Sequence, residues 1–289
     1  MKLGAAAPGR RRSPLPASRS LALALALPGI GAVQAQEEVP FITTPDRVTL
    51  AMLQLAEVTA QDFVIDLGSG DGRIVITAAR RFGARGLGVE IVPDLVARSQ
   101  ANARSAGVAE RAQFREQDLF RTDLSAAQVI TMYLLPAVNL QLRPRLLALK
   151  PGTRIVSHDW DLGDWSPDRS QSLDVPDKTI GRDKKSTIHL WVVPARVQGL
   201  WCTAGAALQI EQRFQNFSAL LSAPGEAAPL AVFDGRVHAD ALHSGGEQTG
   251  SVLSFSVVPS GLKLTTASGP AARFSGQHFQ PAGPGGCPR

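Results

Sequence analysis

The chain has 289 residues, of which 44% are hydrophobic, and it carries a formal net charge of +5 at pH 7. This length and apolar content exclude a disordered polymer and allow one α/β domain of ordinary size plus a smaller second unit. Five of the 30 basic side chains and none of the 25 acidic ones lie in residues 1–35. The remainder is therefore formally neutral, and its net charge gives no support for nucleic-acid binding.

Residues 1–35 have the composition of a secretory leader. Basic side chains come first, an apolar run follows at 21–32, and the small side chains of Val33 and Ala35 suit a cleavage site. We therefore predict cleavage after Ala35 and export to the periplasm. Because the run is shorter than the roughly 20 apolar residues that a membrane-spanning helix needs, we predict no stable membrane insertion of the mature chain. An organelle transit peptide is the alternative, and an arginine pair at 11–12 leaves a twin-arginine signal open.

The next segment, 36–195, alternates short β-branched runs with longer helical stretches. Asp46 can cap a first helix at 47–57. This strand–helix order indicates a mostly parallel α/β sheet with helices on both faces. A last strand at 187–193 follows a polar stretch instead of a helix, so we expect it to run antiparallel. The other predicted strands lie at 63–65, 86–89, 112–114, 128–133 and 154–157, and the other helices at 73–82, 95–105 and 137–149.

The composition changes in residues 196–280, where Gly, Ser, Ala and Pro dominate. Apolar residues alternate with polar ones at 207–211 and 251–257, which indicates strands. We therefore predict a small β-rich domain, an antiparallel meander or a partial barrel, and assign no chemistry to it. Turn-forming residues separate the runs at 223–225, 234–235 and 244–246.

The chain ends in a Gly/Pro-rich stretch, 281–289, that we predict to be disordered. It contains Cys287, and the only other cysteine is Cys202. In an exported chain such a pair either forms a disulfide or stays free, and the sequence favours neither outcome.

A glycine-rich turn between the first predicted strand and its helix is the strongest functional signal. The strand ends at Asp66, glycines follow at 68, 70 and 72, and a helix opens at Arg73. Residues without a Cβ allow positive φ and close approach of the backbone to a ligand, and free N–H groups at the helix start face that ligand. A dinucleotide site requires G-x-G-x-x-G, which Arg73 breaks. The turn therefore favours S-adenosylmethionine, which carries no phosphate, over a nicotinamide dinucleotide.

Acidic residues complete this predicted cofactor site. Asp66 and Asp71 suit the cationic parts of S-adenosylmethionine. Glu90 ends the second strand, where an acid can hold the ribose hydroxyls, and Asp118 can address the adenine amino group. Taken singly, Asp71 could be a turn residue and Glu90 a solvated strand end, but their spacing together indicates a site. The predicted cofactor-binding residues are Asp66, Gly68, Ser69, Gly70, Asp71, Gly72, Glu90, Asp118 and Leu119.

The stretch VIDLGSGDGRIV at 64–75 resembles motif I of the class I, seven-β-strand methyltransferases. Within that class, the chain resembles the mitochondrial protein-lysine methyltransferases that act on the ATP synthase c subunit and the ADP/ATP carrier. The resemblance implies a Rossmann-like seven-stranded sheet, S-adenosylmethionine as cofactor and a protein lysine as methyl acceptor. It extends over about 41–167, with shorter matches at Phe41, 88–90, 118–119, 134–136 and 152–157.

By this resemblance, Tyr133, Leu134 and Pro136 border the methyl group and the incoming nucleophile, although Tyr133 can equally be an aromatic residue at a buried strand end. Methyl transfer is an in-line displacement in which the enzyme contributes positioning and exclusion of water. A lysine amine must first lose its proton, and Tyr133, His158 and Asp159 are the candidate catalytic residues at the strand ends. A structural role is the alternative for His158. No metal site is predicted.

The chain departs from the family in its leader, in its β-rich C-terminal domain and in the run SHDW at 157–160. These differences leave two alternatives, a small-molecule methyltransferase and an exported, non-catalytic binding protein on the same fold. A nicotinamide-dependent oxidoreductase is disfavoured by Arg73. We expect no nucleic-acid partner, because the rim at 134–136 is apolar and Tyr133 alone is a thin platform for stacking a base.

Overall fold

The computed structural model describes residues 42–178, 183–244 and 252–287. The predicted leader, at 1–35, lies outside the described residues, as do Phe41 and residues 288–289 of the predicted tail. Within these three ranges, none of the helices is long and apolar enough to cross a membrane.

The first part of the described chain forms a seven-stranded mixed sheet. Its strands are β1 (Phe63–Leu67), β2 (Arg85–Glu90), β3 (Ala112–Glu116), β4 (Val129–Met132), β5 (Arg154–His158), β6 (Arg169–Asp174) and β7 (Lys185–Val192). They lie in the order β3-β2-β1-β4-β5-β7-β6. The first five are parallel, while β7 runs antiparallel to both β5 and β6. The predicted parallel sheet with an antiparallel final strand is confirmed, and β6 is an additional strand that was not predicted.

Four helices cover the two faces of this sheet. They are α1 (Asp46–Leu55), α2 (Arg73–Phe82), α3 (Pro93–Ser105) and α4 (Pro136–Leu146). Successive residues of β1 show the arrangement, because Val64 packs into a core with α1 and α2 while Ile65 packs into a second core with α4. Strands that are buried on both sides read as continuous apolar runs, which is why their positions could be predicted.

The start of α1 differs from the prediction. Asp46 is the first helical residue, Pro45 occupies the N-cap position and no side chain caps the helix. The prediction that Asp46 caps a helix beginning at residue 47 is therefore wrong. Its carboxylate lies 3.5 Å from Arg73 at the start of α2, which links the two helix N-termini.

The C-terminal part of the described chain is a closed eight-stranded antiparallel barrel. Its strands are β8 (Gly199–Thr203), β9 (Ala206–Arg213), β10 (Asn216–Ser222), β11 (Ala231–His238), β12 (Ala241–Ser244), β13 (Leu253–Val258), β14 (Gly261–Ala267) and β15 (His278–Pro281). Pairing of β15 with β8 closes the barrel. The β-rich domain is thus confirmed, but it is larger and more complete than the predicted small meander or partial barrel. Closure leaves no free sheet edge.

The barrel interior contains a row of aromatic rings among aliphatic side chains. Phe217, Phe233, Phe255 and Phe279 form a chain of stacked and edge-to-face pairs with centroid separations of 5.8–6.4 Å. All four belong to one buried apolar cluster. An interior packed in this way is the hydrophobic core of the domain.

The turn predicted at 234–235 is wrong. Gly235 lies inside β11, paired with Phe217 and Ser244 on the neighbouring strands. A Cβ at this position would lie 2.6 Å from the Phe217 ring and against the main-chain oxygen of His243. Glycine is required here because two neighbours approach closely, and such a glycine resembles a turn signal in the sequence.

The C-terminal segment is folded up to Cys287, in contrast to the disorder predicted for 281–289. Cys287 forms a disulfide with Cys202 of β8, with 5.4 Å between the Cα atoms. Among the described residues no cysteine is free. The bridge connects the segment that follows the last strand to the first strand of the barrel.

The loop between β5 and β6 packs against the barrel. Trp165 stacks on Phe214 with 6.0 Å between the ring centroids. Asp164 pairs with Arg213 at 2.9 Å, and Asp168 pairs with Arg236 at 2.7 Å. The barrel therefore supports the chain that follows the carboxyl end of β5.

Candidate active site

The predicted glycine turn lies at the carboxyl end of β1, where ligands bind in open α/β sheets. Gly68, Gly70 and Gly72 have φ values of +74°, +54° and +84°, which side chains rarely allow. A Cβ on Gly72 would lie 2.6 Å from the Phe114 ring, and one on Gly68 would lie 3.0 Å from the Leu134 side chain. The turn can take this path only with glycine at these positions.

Glu90 ties the glycine turn to the start of α3. Its carboxylate accepts hydrogen bonds from the backbone N–H groups of Gly70 at 3.0 Å, Ile91 at 2.8 Å and Val92 at 3.1 Å. A carboxylate in this place is favoured by the positive end of the helix dipole. The predicted ribose ligand is thus held rigidly beside the turn, with its side chain half-exposed.

Asp66 lies beneath the turn and is 2% exposed. It accepts a hydrogen bond of 2.7 Å from the Thr131 hydroxyl. Burial, together with the negative charges of Glu90 and Asp71, outweighs that hydrogen bond and raises the pKa of Asp66 to about 7. A cation placed next to this carboxyl group would favour its ionised form, as expected for a residue that faces the charged part of S-adenosylmethionine.

Asp71 contacts protein groups beside the glycine turn. Its carboxylate receives two hydrogen bonds from Arg73, at 2.7 Å and 3.0 Å, and its main-chain oxygen accepts from Asn102 at 2.9 Å. Burial would raise the pKa of Asp71, but the hydrogen bonds and charge of Arg73 outweigh burial and lower it. Arg73 also donates to the main-chain oxygen of Thr44 at 2.8 Å. Asp71 thereby holds Arg73 and the N-terminal segment over the turn.

Asp118 and Leu119 follow β3. Asp118 caps a 3₁₀ turn at Leu119–Arg121 by accepting the N–H of Phe120 at 2.8 Å. Its second carboxylate oxygen lies 3.8 Å from Arg121. Leu119 packs partly buried against the core beneath the sheet. The only partner of this second carboxylate oxygen among the described residues is therefore the exposed Arg121 side chain, while Leu119 anchors the turn.

The residues of this site fit S-adenosylmethionine. Ser69 is 5% exposed, and its hydroxyl has no hydrogen-bond partner among the described residues. A buried hydroxyl without a partner costs about 1–3 kcal/mol, which a polar ligand atom would recover. Ser69 lies between Gly68 and Gly70, and Gly70 donates its N–H to the carboxylate of Glu90.

A pocket of about 190 Å³ opens at the carboxyl ends of β4 and β5, and we call it the acceptor pocket. It brings together Tyr133 and His158, two of the predicted catalytic residues, whereas Leu134 and Pro136 do not line it. Leu134 packs against Gly68 instead, and Pro136 is exposed at the start of α4. The lining residues are Ile42, Thr43, Pro45, Asp46, Arg73, Tyr133, His158, Asp177 and Lys178.

His158 is fully buried and supports Tyr133. The two rings are 3.9 Å apart at their centroids, and the His158 nitrogens contact the hydroxyls of Thr44 at 3.3 Å and Ser186 at 2.9 Å. Burial lowers the pKa of His158 to about 4, with the charge of Asp159 opposing this shift and that of Lys178 adding to it. Because the ring is fully buried and both of its nitrogens contact hydroxyl groups, the geometry favours the structural alternative for His158.

Asp159 lies beside the pocket in an unusual backbone conformation. Its φ is +61°, and both its N–H and its Oδ1 bond to the backbone of Thr187, at 2.6 Å and 2.9 Å. Its Oδ2 lies 2.7 Å from the Nζ of Lys178 and 3.5 Å from His158. A non-glycine residue in this region costs roughly 1–3 kcal/mol and is often found at functional sites.

Sequence reasoning missed Lys178. The residue belongs to a polar stretch with turn formers between β6 and β7, and no motif or periodicity marks it. Its side chain is 13% exposed, and its Nζ donates to Asp159 and to the main-chain oxygen of Lys185 at 2.6 Å. Only the antiparallel pairing of β7 with β5 brings it next to Asp159 and Tyr133.

Known proteins match the part of the chain that carries this site. The family model of the ANTKMT methyltransferase domain matches residues 66–169. A protein-lysine N-methyltransferase of Saccharolobus islandicus (strain REY15A) is 41% identical over 157 residues, which cover 54% of this chain and 94% of that protein. The chain belongs to this family of class I methyltransferases. It is therefore an enzyme whose cofactor is S-adenosylmethionine, and the glycine turn is the motif I of this methyltransferase.

Two further proteins are similar to this methyltransferase. The adenine nucleotide translocase lysine N-methyltransferase of Mus musculus is 34% identical, over 48% of this chain and 61% of that protein. A solved Salinibacter ruber protein, described as an RNA methyltransferase in complex with S-adenosyl-L-homocysteine, is 50% identical, with coverage of 54% of this chain and 96% of that chain and a TM-score of 0.49. The match of the family model ends before the barrel, which begins with β8.

Proposed function

We propose that this methyltransferase transfers the methyl group of S-adenosylmethionine to the ε-amine of a lysine in a protein. The main support is an ion pair at the acceptor pocket: the ammonium group of Lys178 lies 2.7 Å from the carboxylate of Asp159. A site that binds one lysine head group has the charge and size to bind another. The name of the Saccharolobus islandicus relative, a protein-lysine N-methyltransferase, supports the same acceptor.

The residues of this chain contribute position and charge to the reaction. When bound, S-adenosylmethionine supplies an electrophilic methyl group. With Asp66 and Glu90 holding the cofactor, its sulfonium would supply the methyl group to the neutral amine of the acceptor, once the acceptor ammonium has lost its proton to solvent. Positive charge moves to the nitrogen in this step, so the fixed carboxylate of Asp159 stabilises the transition state. Tyr133, held on the buried ring of His158, forms a wall that excludes water.

The experiment is methyl labelling with purified protein. The enzyme is incubated with radioactive S-adenosylmethionine and an extract of the native host, and the product is treated separately with protease and ribonuclease. We expect label that is sensitive to protease and resistant to ribonuclease, with peptide mass spectrometry locating the methyl group on lysine. Label confined to RNA or to small molecules would contradict the proposal.

We also propose that the enzyme is exported and processed after Ala35. Two observations support this location, the secretory composition of residues 1–35 and the Cys202–Cys287 disulfide, because disulfides persist in oxidising compartments. N-terminal sequencing of the protein from its native host should begin at Gln36. An intact Met1 would contradict export by this leader.

A further inference from the structure

We infer that Asp159 is the carboxylate that receives the ammonium group of the acceptor lysine, and that Lys178 occupies this position until the acceptor displaces it. The inference rests on the proposed function and makes it more specific. In this arrangement Asp159 recognises the acceptor lysine, and Lys178 competes with the acceptor for Asp159.

Asp159 is built to hold a cation at a fixed place. The backbone of Thr187 bonds both its N–H and its Oδ1, so the direction of the carboxylate is set by β7. The remaining oxygen, Oδ2, faces Lys178 and the buried ring of His158. Because His158 is neutral at physiological pH, it does not compete with a cation for this oxygen.

Lys178 fills the site as an acceptor lysine would. Its side chain is largely buried, and its ammonium group makes a charge-assisted hydrogen bond to Asp159 and a second bond to the main-chain oxygen of Lys185. It also lines the acceptor pocket together with Tyr133. The other cation of that pocket, Arg73, is engaged by the carboxylate of Asp71 at 2.7 Å, which leaves the ammonium site to lysine.

Competition of this kind has a measurable consequence. A ligand that binds only when a site is free has its apparent affinity reduced by the fraction of time the site is free. If Lys178 occupies Asp159 nine-tenths of the time, removal of its side chain strengthens ammonium binding about tenfold. Removal of the carboxylate abolishes the gain. Asparagine is the suitable replacement for Asp159 because it tolerates positive φ and its oxygen can still accept from Thr187.

The test is a titration of the full-length protein with n-butylammonium, followed by NMR, with n-butanol as an uncharged ligand of the same shape. The variants are Lys178→Ala, the double variant Lys178→Ala/Asp159→Asn, and Lys263→Ala as a matched control, since Lys263 is an exposed lysine of β14 in the barrel. Lys178→Gln replaces Lys178→Ala if the alanine variant does not fold. No cofactor is present, so the result does not depend on methyl transfer.

We expect Lys178→Ala to bind n-butylammonium about tenfold more tightly than the unaltered protein, the double variant to lose that gain, and Lys263→Ala and n-butanol to show no change. With poly-L-lysine as acceptor, Lys178→Ala should lower KM with little effect on kcat. Equal ammonium binding by Lys178→Ala and the unaltered protein, or retained binding by the double variant, would overturn the inference. Tight ammonium binding without any methylation of poly-L-lysine would instead count against the proposed function.

Discussion

Removal of the Glu90 carboxylate tests the cofactor site most sharply. In the structure this carboxylate accepts three backbone N–H groups, one from the glycine turn and two from the start of α3. Glu90→Ala therefore releases the contact that holds the turn against β2. It also removes the acid that we predict to bind the ribose hydroxyls.

The magnitude follows from the type of bond that is lost. Hydrogen bonds to a charged group contribute about 1.5–3 kcal/mol, and each 1.4 kcal/mol corresponds to a tenfold change in affinity. Because Glu90 is half-exposed, water replaces some of the backbone contacts, and the lower end of this range applies to protein stability. Loss of the ribose contact should weaken cofactor binding by at least roughly tenfold.

Isothermal titration calorimetry with S-adenosylmethionine measures this change directly. Glu116→Ala is the matched control, because Glu116 is paired with Glu90 in the sheet register, ends the neighbouring strand and is exposed. We expect normal affinity for Glu116→Ala and the tenfold loss only for Glu90→Ala. Equal cofactor affinity in Glu90→Ala and the unaltered protein would refute the assignment of Glu90 as a cofactor ligand.

Three further predictions concern stability. Because the pKa of Asp66 is raised from 3.8 to about 7, the cofactor-free protein should lose stability as pH rises from about 4 to 7. In thermal unfolding scans, Asp66→Asn should reduce that loss by about 1–4 kcal/mol, and an identical pH profile for the variant and the unaltered protein would count against this prediction. Gly72→Ala should cost about 1–3 kcal/mol of stability for its positive φ, plus a further cost for the clash with the Phe114 ring. Gly107→Ala is the control, because Gly107 has a φ of +68° but open space around it, so it should cost only the φ penalty. Equal unfolding midpoints for the two variants would be inconsistent with the geometry of the turn. Replacing Cys202 and Cys287 by serine should lower the free energy of unfolding by about 2–4 kcal/mol in urea titrations, and no change would mean that the bridge does not form in solution.

The elements that could be predicted are those with a strong local signal. The bounds of α2 match the prediction at both ends because a glycine turn precedes the helix and Gly83, with φ of +72°, ends it. The buried parallel strands are apolar on both faces, so they too could be located. The cofactor was predicted correctly because the glycine spacing reflects a local backbone requirement of the turn.

The features that could not be predicted depend on contacts distant in sequence. Five of the six residues of β6 are polar and exposed, so the strand shows no hydrophobic alternation, and only pairing with β7 makes it a strand. Asp71 is paired with Arg73, and a sequence does not show which charges meet. Closure of the barrel depends on the pairing of β15 with β8. Lys178 joins the acceptor pocket through the same kind of long-range register.

The central claim, transfer of a methyl group to lysine in a protein, is tested most directly in cells. Three strains of the native host are grown with isotopically labelled methionine: one with the gene intact, one with the gene removed, and one complemented with the Asp159→Asn variant. Their proteins are compared by quantitative mass spectrometry. We predict labelled methyl-lysine at defined protein sites that disappears when the gene is removed and is strongly reduced by Asp159→Asn. Identical lysine methylation in all three strains, with a gene-dependent methyl group only on RNA or on a small molecule, would contradict the account.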